Sequence, residues 1–128
     1  MYKRYSIVLV TDENDNVLVG RRNDSMMFTN PGGGAEKDEC PFHCAVREFK
    51  EETGVNLQSV KLIKCFFTEG KRLIYLFKGK MPENYEFDTS EDPDEEVSNW
   101  EFKDPIDIID ELHVPIEHNE LIKYWMDN

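Results

Sequence analysis

Residues Gly33 to Val55 read G-G-A-E-K-D-E-C-P-F-H-C-A-V-R-E-F-K-E-E-T-G-V. Pro41 suits a first helical position and Gly54 suits the left-handed residue just past a helix end, so the spacing predicts a helix over Pro41–Thr53. Phe42, Ala45, Val46 and Phe49 fall at i, i+3, i+4 and i+7 and form an apolar stripe. At ~100° per residue, Glu48, Glu51 and Glu52 cluster on an arc of about 100° beside that stripe. Three carboxylates crowded on one helical face repel each other, so a cation is expected against them.

The spacing also matches G-x5-E-x7-R-E-U-x-E-E-x-G-U, where U is a bulky apolar residue. Gly33, Glu39, Arg47, Glu48, Glu51, Glu52 and Gly54 fill the fixed positions, with Phe49 and Val55 as the bulky ones. In this the stretch resembles the signature of the Nudix hydrolases, and the lead-in Pro31 to Glu36 (P-G-G-G-A-E) is similar too. The departures are Phe49 where an aliphatic residue is commoner, Asp38 where glycine is common, and Cys40 where a Ser or Thr cap is usual. None removes a charged position.

The resemblance implies a Nudix fold, a mixed β-sheet sandwiched between α-helices. It also implies a pyrophosphohydrolase that cuts a nucleoside diphosphate linked to another moiety by water attack at phosphorus. Mg2+ or Mn2+ is the implied cofactor, because hard cations take oxygen ligands and neutralise phosphoryl oxygens. Glu48, Glu51 and Glu52 are the implied ligands. The Gly33 carbonyl is a further candidate, since glycine lets the main chain come close.

Arg47 is expected to brace the loop through Glu39 and to orient the carboxylates, with Glu39 and Gly54 as structural positions. The catalytic set by resemblance is Glu51, Glu52 and Arg47, joined by Glu96, which precedes Trp100 in an acidic-then-aromatic pattern. Arg22, Phe28 and Tyr75 are candidate substrate contacts, with Arg21 beside them. Cys40, His43 and Cys44 could in principle hold zinc along one helix turn, but too few further ligands lie at zinc-site spacing.

Bulk composition narrows the partners. The chain has 128 residues, 39% of them hydrophobic and 12% aromatic, which fits a single globular domain over residues 1–128. Acidic residues number 27 against 15 basic ones, a net charge of −12. Such a surface repels polyphosphate backbones, so a small nucleotide is the expected partner and nucleic acid is not. No apolar run approaches the ~18 residues of a membrane span. Three cysteines, and a first stretch without an apolar signal core, point to a cytoplasmic setting. The chain is expected to act as a monomer or homodimer.

Around the central stretch, strands are expected over Tyr5–Thr11, Val17–Arg22, Val60–Phe67, Leu73–Lys78 and Val97–Phe102. Asn23–Asn30 reads as a loop, Pro31–Gly34 as a bend, Glu69–Gly70 as a turn, and Met81–Glu96 as an acidic irregular segment. Asp104 caps a short helix begun by Pro105, with Ile108, Ile109 and Leu112 facing inward, and Ile116–Met126 reads as a last helix. The order defines an α+β chain. Two rival functions remain open at this point: a non-catalytic nucleotide-binding module of the same fold, and an RNA decapping enzyme, which the acidic charge disfavours.

Overall fold

The computed structural model describes residues 3–68, 71–90 and 97–111. Its elements are β1 (Lys3–Leu9), β2 (Val17–Arg22), β3 (Phe28–Thr29), β4 (Gly32–Gly34), α1 (Pro41–Thr53), β5 (Ser59–Thr68), β6 (Arg72–Lys80), β7 (Val97–Lys103) and α2 (Pro105–Ile108), closed by a 3-10 turn at Ile109–Glu111. The α+β class follows directly. The expected last helix, the Glu69–Gly70 turn, Leu112 and the acidic Glu91–Glu96 portion lie outside the described residues.

The strands form two sheets rather than one. The first has the order β4-β1-β6-β5, and the second has the order β3-β2-β7. β1 runs parallel to β6, while β1–β4 and β5–β6 are antiparallel, so the first sheet is mixed. β2 pairs antiparallel with both of its neighbours. β1 ends at Leu9, two residues before the expected Thr11, because the chain there changes partner. Val10 accepts from Leu18 N–H at 2.8 Å, and Thr11 bridges Val17.

Neighbouring residues of one strand enter different cores. Val8, Leu18 and Phe77 join Ala45 and Phe49 of α1 in one cluster with Val10, Val55, Val97 and Trp100. Leu9, Val17, Val19 and Leu76 face the other way, into a cluster with Phe28 and Ile108. Strands covered on both faces need continuous apolar runs, which is why Ile7–Val10 and Val17–Val19 do not alternate with polar residues. Phe49 is fully buried. Truncating such a side chain costs about 3–5 kcal/mol, so Phe49→Ala would loosen α1 from β1 and β4.

Three expectations need correction. Asn23–Asn30 is not wholly loop, since Phe28–Thr29 pairs with Gly20 and Arg21. The glycine bend is a strand: Gly32, Gly33 and Gly34 pair with Ile7, Ser6 and Tyr5. Both are long-range pairings, which a short polar or side-chain-free stretch cannot announce. The buried stripe of α1 is also rotated. It comprises Cys44, Ala45, Phe49 and Thr53, whereas Phe42 stays 47% exposed and Val46 is half-buried. Thr53 tolerates burial because its hydroxyl donates to the Phe49 carbonyl at 2.7 Å.

Candidate active site

Helix α1 carries the site, and its ends are set locally. The Cys40 Sγ accepts from the His43 N–H at 3.4 Å, a sulfur version of the usual hydroxyl cap. At the other end Gly54 adopts φ 78°, and its N–H returns to the Lys50 carbonyl. A Cβ there would be strained, and it would also strike the Asp88 carbonyl oxygen.

The rotated stripe changes how the carboxylates sit. At ~100° per residue, Glu48 and Glu52 fall between Cys44 and Ala45, inside the buried arc, while Glu51 lies just beyond Cys44. The inward acids meet the glycine strand. Glu52 Oε1 accepts from the Gly32 N–H at 2.8 Å. The Glu48 carboxyl group lies directly against the Gly33 Cα: a Cβ at Gly33 would collide with its carboxyl carbon and stand 2.5 Å from Oε2. A side chain at Gly33 would force the Glu48 carboxyl group to move from this place.

Arg47 ties this face to the loop before the helix. Its Nε and Nη2 donate to the two oxygens of Glu39 at 2.7 and 2.9 Å, and Nη2 also reaches the Gly34 carbonyl at 3.2 Å. Glu39 accepts in addition from the Glu36 N–H at 3.0 Å, and its side chain is only 6% exposed. The bond from Arg47 outweighs burial and holds the Glu39 carboxyl down at about 2. The same pair raises the pKa of Arg47. Asp38, in the tight loop before Glu39, has φ 64°, which explains why glycine suits this position.

Glu48 is treated differently. Only Nη1 of Arg47 remains for it, at 3.1 Å, and that nitrogen is shared with both oxygens of Glu51 at 3.2 Å. Burial pushes the Glu48 carboxyl up to about 7. Arg47 opposes the shift, and repulsion from Glu51 and Glu39 adds to it. The site therefore holds one fully compensated carboxylate, Glu39, and one under-compensated carboxylate, Glu48.

That imbalance bears on the metal. Among the described residues no three acidic, histidine or cysteine side chains already converge on a single point. Glu51 leans to Arg47 instead. The donor chemistry nevertheless fits a hard divalent cation: Glu48, Glu52, Glu51 and the Gly33 carbonyl are all oxygen donors on one side of α1.

The candidate substrate contacts are not brought together. Arg22 forms a two-point pair with Asp24 at 3.0 and 2.8 Å. Phe28 is 2% exposed in the second core, and Arg21 covers its ring at 4.2 Å, so it offers no open face for base stacking. Tyr75 packs against the helix-side core, on the other side of the sheet. Glu96 lies outside the described residues.

Three contacts escaped the sequence reading. The Cys44 thiol donates to the Gly33 carbonyl at 3.6 Å. The Trp100 indole N–H donates to the Glu52 carbonyl at 3.0 Å, and the Asp88 N–H donates to the Thr53 carbonyl at 2.8 Å. The last two tie the flanks of the acidic segment to the final turn of α1.

A glycine strand under an acidic helix, braced by an Arg–Glu pair and packed on a mixed sheet, defines the class. The profile of the NUDIX domain matches residues 1–125, and the chain belongs to the Nudix family. A Bacillus subtilis protein provisionally named an 8-oxo-dGTP diphosphatase is 38% identical over 56 residues, which is 44% of this chain and 38% of that protein. A second, YtkD, with the same provisional name, is 29% identical over 96 residues, or 75% of this chain and 56% of its own length. The chain thus spans about half or less of each of these curated relatives.

Among solved structures, a MutT of Aliivibrio salmonicida or Vibrio cholerae superposes with a TM-score of 0.78 at 14% identity, covering 99% of this chain and 98% of that one. A Caenorhabditis elegans Ap4A hydrolase gives a TM-score of 0.73 at 17% identity, covering 94% of each. At such identities the likeness speaks for the fold. No helix among the described residues is long and apolar enough to cross a membrane.

Proposed function

We propose that this chain is a divalent-metal-dependent pyrophosphohydrolase acting on a nucleoside polyphosphate. The observation that carries the reading is the Glu48 carboxylate, pressed on the Gly33 backbone and sharing, among the described residues, one Arg47 nitrogen with Glu51. A buried carboxylate left in that state is costly unless a cation completes it.

Glu48, Glu52, Glu51 and the Gly33 carbonyl are the proposed holders of Mg2+ or Mn2+. A cation bound there would neutralise phosphoryl oxygens and make phosphorus more electrophilic. The residues do the rest. Glu52 is anchored by the Gly32 N–H, so it fixes the distance between helix and glycine strand. Glu51, 36% exposed, is the carboxylate best able to reach solvent and take a proton from the attacking water. Glu96 is the rival for that proton. Arg47 and Glu39 keep the loop and helix in register. The thiol beside the glycine strand, Cys44, is buried. Direct water attack is therefore proposed, without a covalent intermediate.

The names of the two Bacillus relatives favour an oxidised purine nucleoside triphosphate, which would be cut to a monophosphate and pyrophosphate. ADP-ribose-like compounds, nucleotide sugars and dinucleoside polyphosphates are the competing substrates. The three free cysteines support a cytoplasmic setting. A nucleotide panel with Mg2+ or Mn2+, its products resolved by chromatography, tests the reading. Metal-dependent release of a nucleoside monophosphate is expected, and full turnover after exhaustive chelation refutes it.

A further inference from the structure

Trp100 reaches α1 because β7 carries an extra residue. Val19 pairs with Glu101 and Arg21 with Ser98, so Asn99 and Trp100 together oppose Gly20. Asn99 takes φ 57° in this bulge. Strand neighbours alternate between faces, so residues three apart ordinarily point opposite ways. The extra residue puts Val97 and Trp100 on one face, and both enter the helix-side core. Gly20 makes room for the ring: a Cβ there would lie 3.0 Å from Trp100 Cε3 and 2.5 Å from Val97 Cγ1. So seated, the indole is 8% exposed and donates to the Glu52 carbonyl at 3.0 Å. That carbonyl belongs to the last turn of α1, where a helix has no N–H of its own left to offer.

We propose that Trp100 is a positioning residue for Glu52. Its indole N–H anchors the Glu52 backbone, while the Gly32 N–H, 2.8 Å from Oε1, anchors the carboxylate. This rests on the metal reading above and deepens it. The two bonds come from different sheets, β7 in one and β4 in the other, so α1 is registered against both at this residue. Holding both ends orders the carboxylate before a cation arrives, which raises affinity by cutting the entropy lost on binding. Loss of the indole donor lets the last turn shift, and the carboxylate shifts with it. Coupling of this kind is reciprocal, so a cation held by Glu52 in turn tightens the indole bond.

The test replaces Trp100 in the full chain by benzothienylalanine, which keeps the shape of the ring and puts sulfur where the N–H was. Circular dichroism checks the fold. In chelator, the Gly32 amide proton should move upfield as its bond to Glu52 lengthens. Mn2+ binding, followed by electron paramagnetic resonance, should weaken by about tenfold. In a Glu52→Gln background the same replacement should cost no further affinity, because Trp100 acts through that carboxylate, whereas a packing role would add its loss in either background. On the unmodified chain, solvent exchange of the Trp100 indole proton should slow by about tenfold at saturating Mg2+, which reads the same coupling if the replaced chain does not fold. A folded replacement with an unmoved Gly32 amide and parental Mn2+ affinity sinks this inference alone. So does an indole exchange rate indifferent to Mg2+ in a chain that binds it. If the parent chain binds no Mn2+, the metal reading falls and this inference falls with it.

Discussion

Glu39 and Glu48 lie under the same loop and share one arginine, yet they are driven in opposite directions. Glu39 takes two guanidinium bonds and a backbone N–H, and its carboxyl is held at about 2. Glu48 takes a share of one guanidinium nitrogen and has its carboxyl pushed up to about 7. Burial alone does not separate them, since Glu39 is the more buried, with 6% side-chain exposure against 18%. What separates them is the balance: the Arg47 bonds outweigh desolvation at Glu39, and desolvation outweighs Arg47 at Glu48. Glu39 is a finished structural joint, and Glu48 is a charge that the described residues compensate only in part.

The comparison predicts its largest contrast in turnover. Glu48→Gln and Glu52→Gln remove the charge of proposed ligands and should each lower kcat by a factor on the order of 10³ or more, a barrier increase of about 4 kcal/mol. Steady-state kinetics with circular dichroism as the folding control will measure it. Stability should move in opposite senses. Glu39 has a folded-state pKa depressed from 4.5 to about 2, so its contribution of about 3 kcal/mol is present above pH 4.5 and is lost as the pH falls through 2.

Glu48 has the reverse sign. Its pKa rises from 4.5 to about 7, so the metal-free protein loses stability, by about 3 kcal/mol at most, as the pH climbs through that window. Glu48→Gln should therefore be more stable than the parent at pH 8 and indistinguishable from it below pH 4.5. Glu39→Gln should be less stable at pH 7, with the gap closing toward pH 2. Denaturant titrations in chelator across the pH range will read both. Equal signs for the two variants would erase the distinction.

Smaller still is the catalytic effect of Glu39→Gln. It frees a joint rather than a ligand, and it should cost tenfold to a hundredfold in kcat, roughly 1.4–2.7 kcal/mol. If it proves more damaging than Glu52→Gln while both stay folded, ligand and brace have been assigned the wrong way round.

Much of this was legible in the chain, for identifiable reasons. Pro41 and Gly54 gave the bounds of α1 correctly, because proline at the start and a left-handed glycine at the end are local signals. Val17–Arg22 was equally local. Illegible were the features that depend on pairing across the chain. The glycine strand carries no side chains to reveal that Tyr5–Ile7 lies beside it. Phe28 was a candidate substrate contact as an aromatic that could stack a base, whereas a two-residue strand carries it into the second core. Cys44 passed as an ordinary helix residue because its partner is a backbone carbonyl eleven residues earlier.

The central claim is that Glu48 is the seat of the cation, and its own titration tests this most directly. With 13C-carboxyl-labelled glutamate, and Glu48→Gln to assign the resonance, the metal-free protein should show Glu48 titrating near 7. Adding Mg2+ should move that titration well down into the ordinary carboxylate range, while Glu39 stays near 2 in both states. A Glu48 titration that is the same with and without saturating Mg2+ would contradict the account.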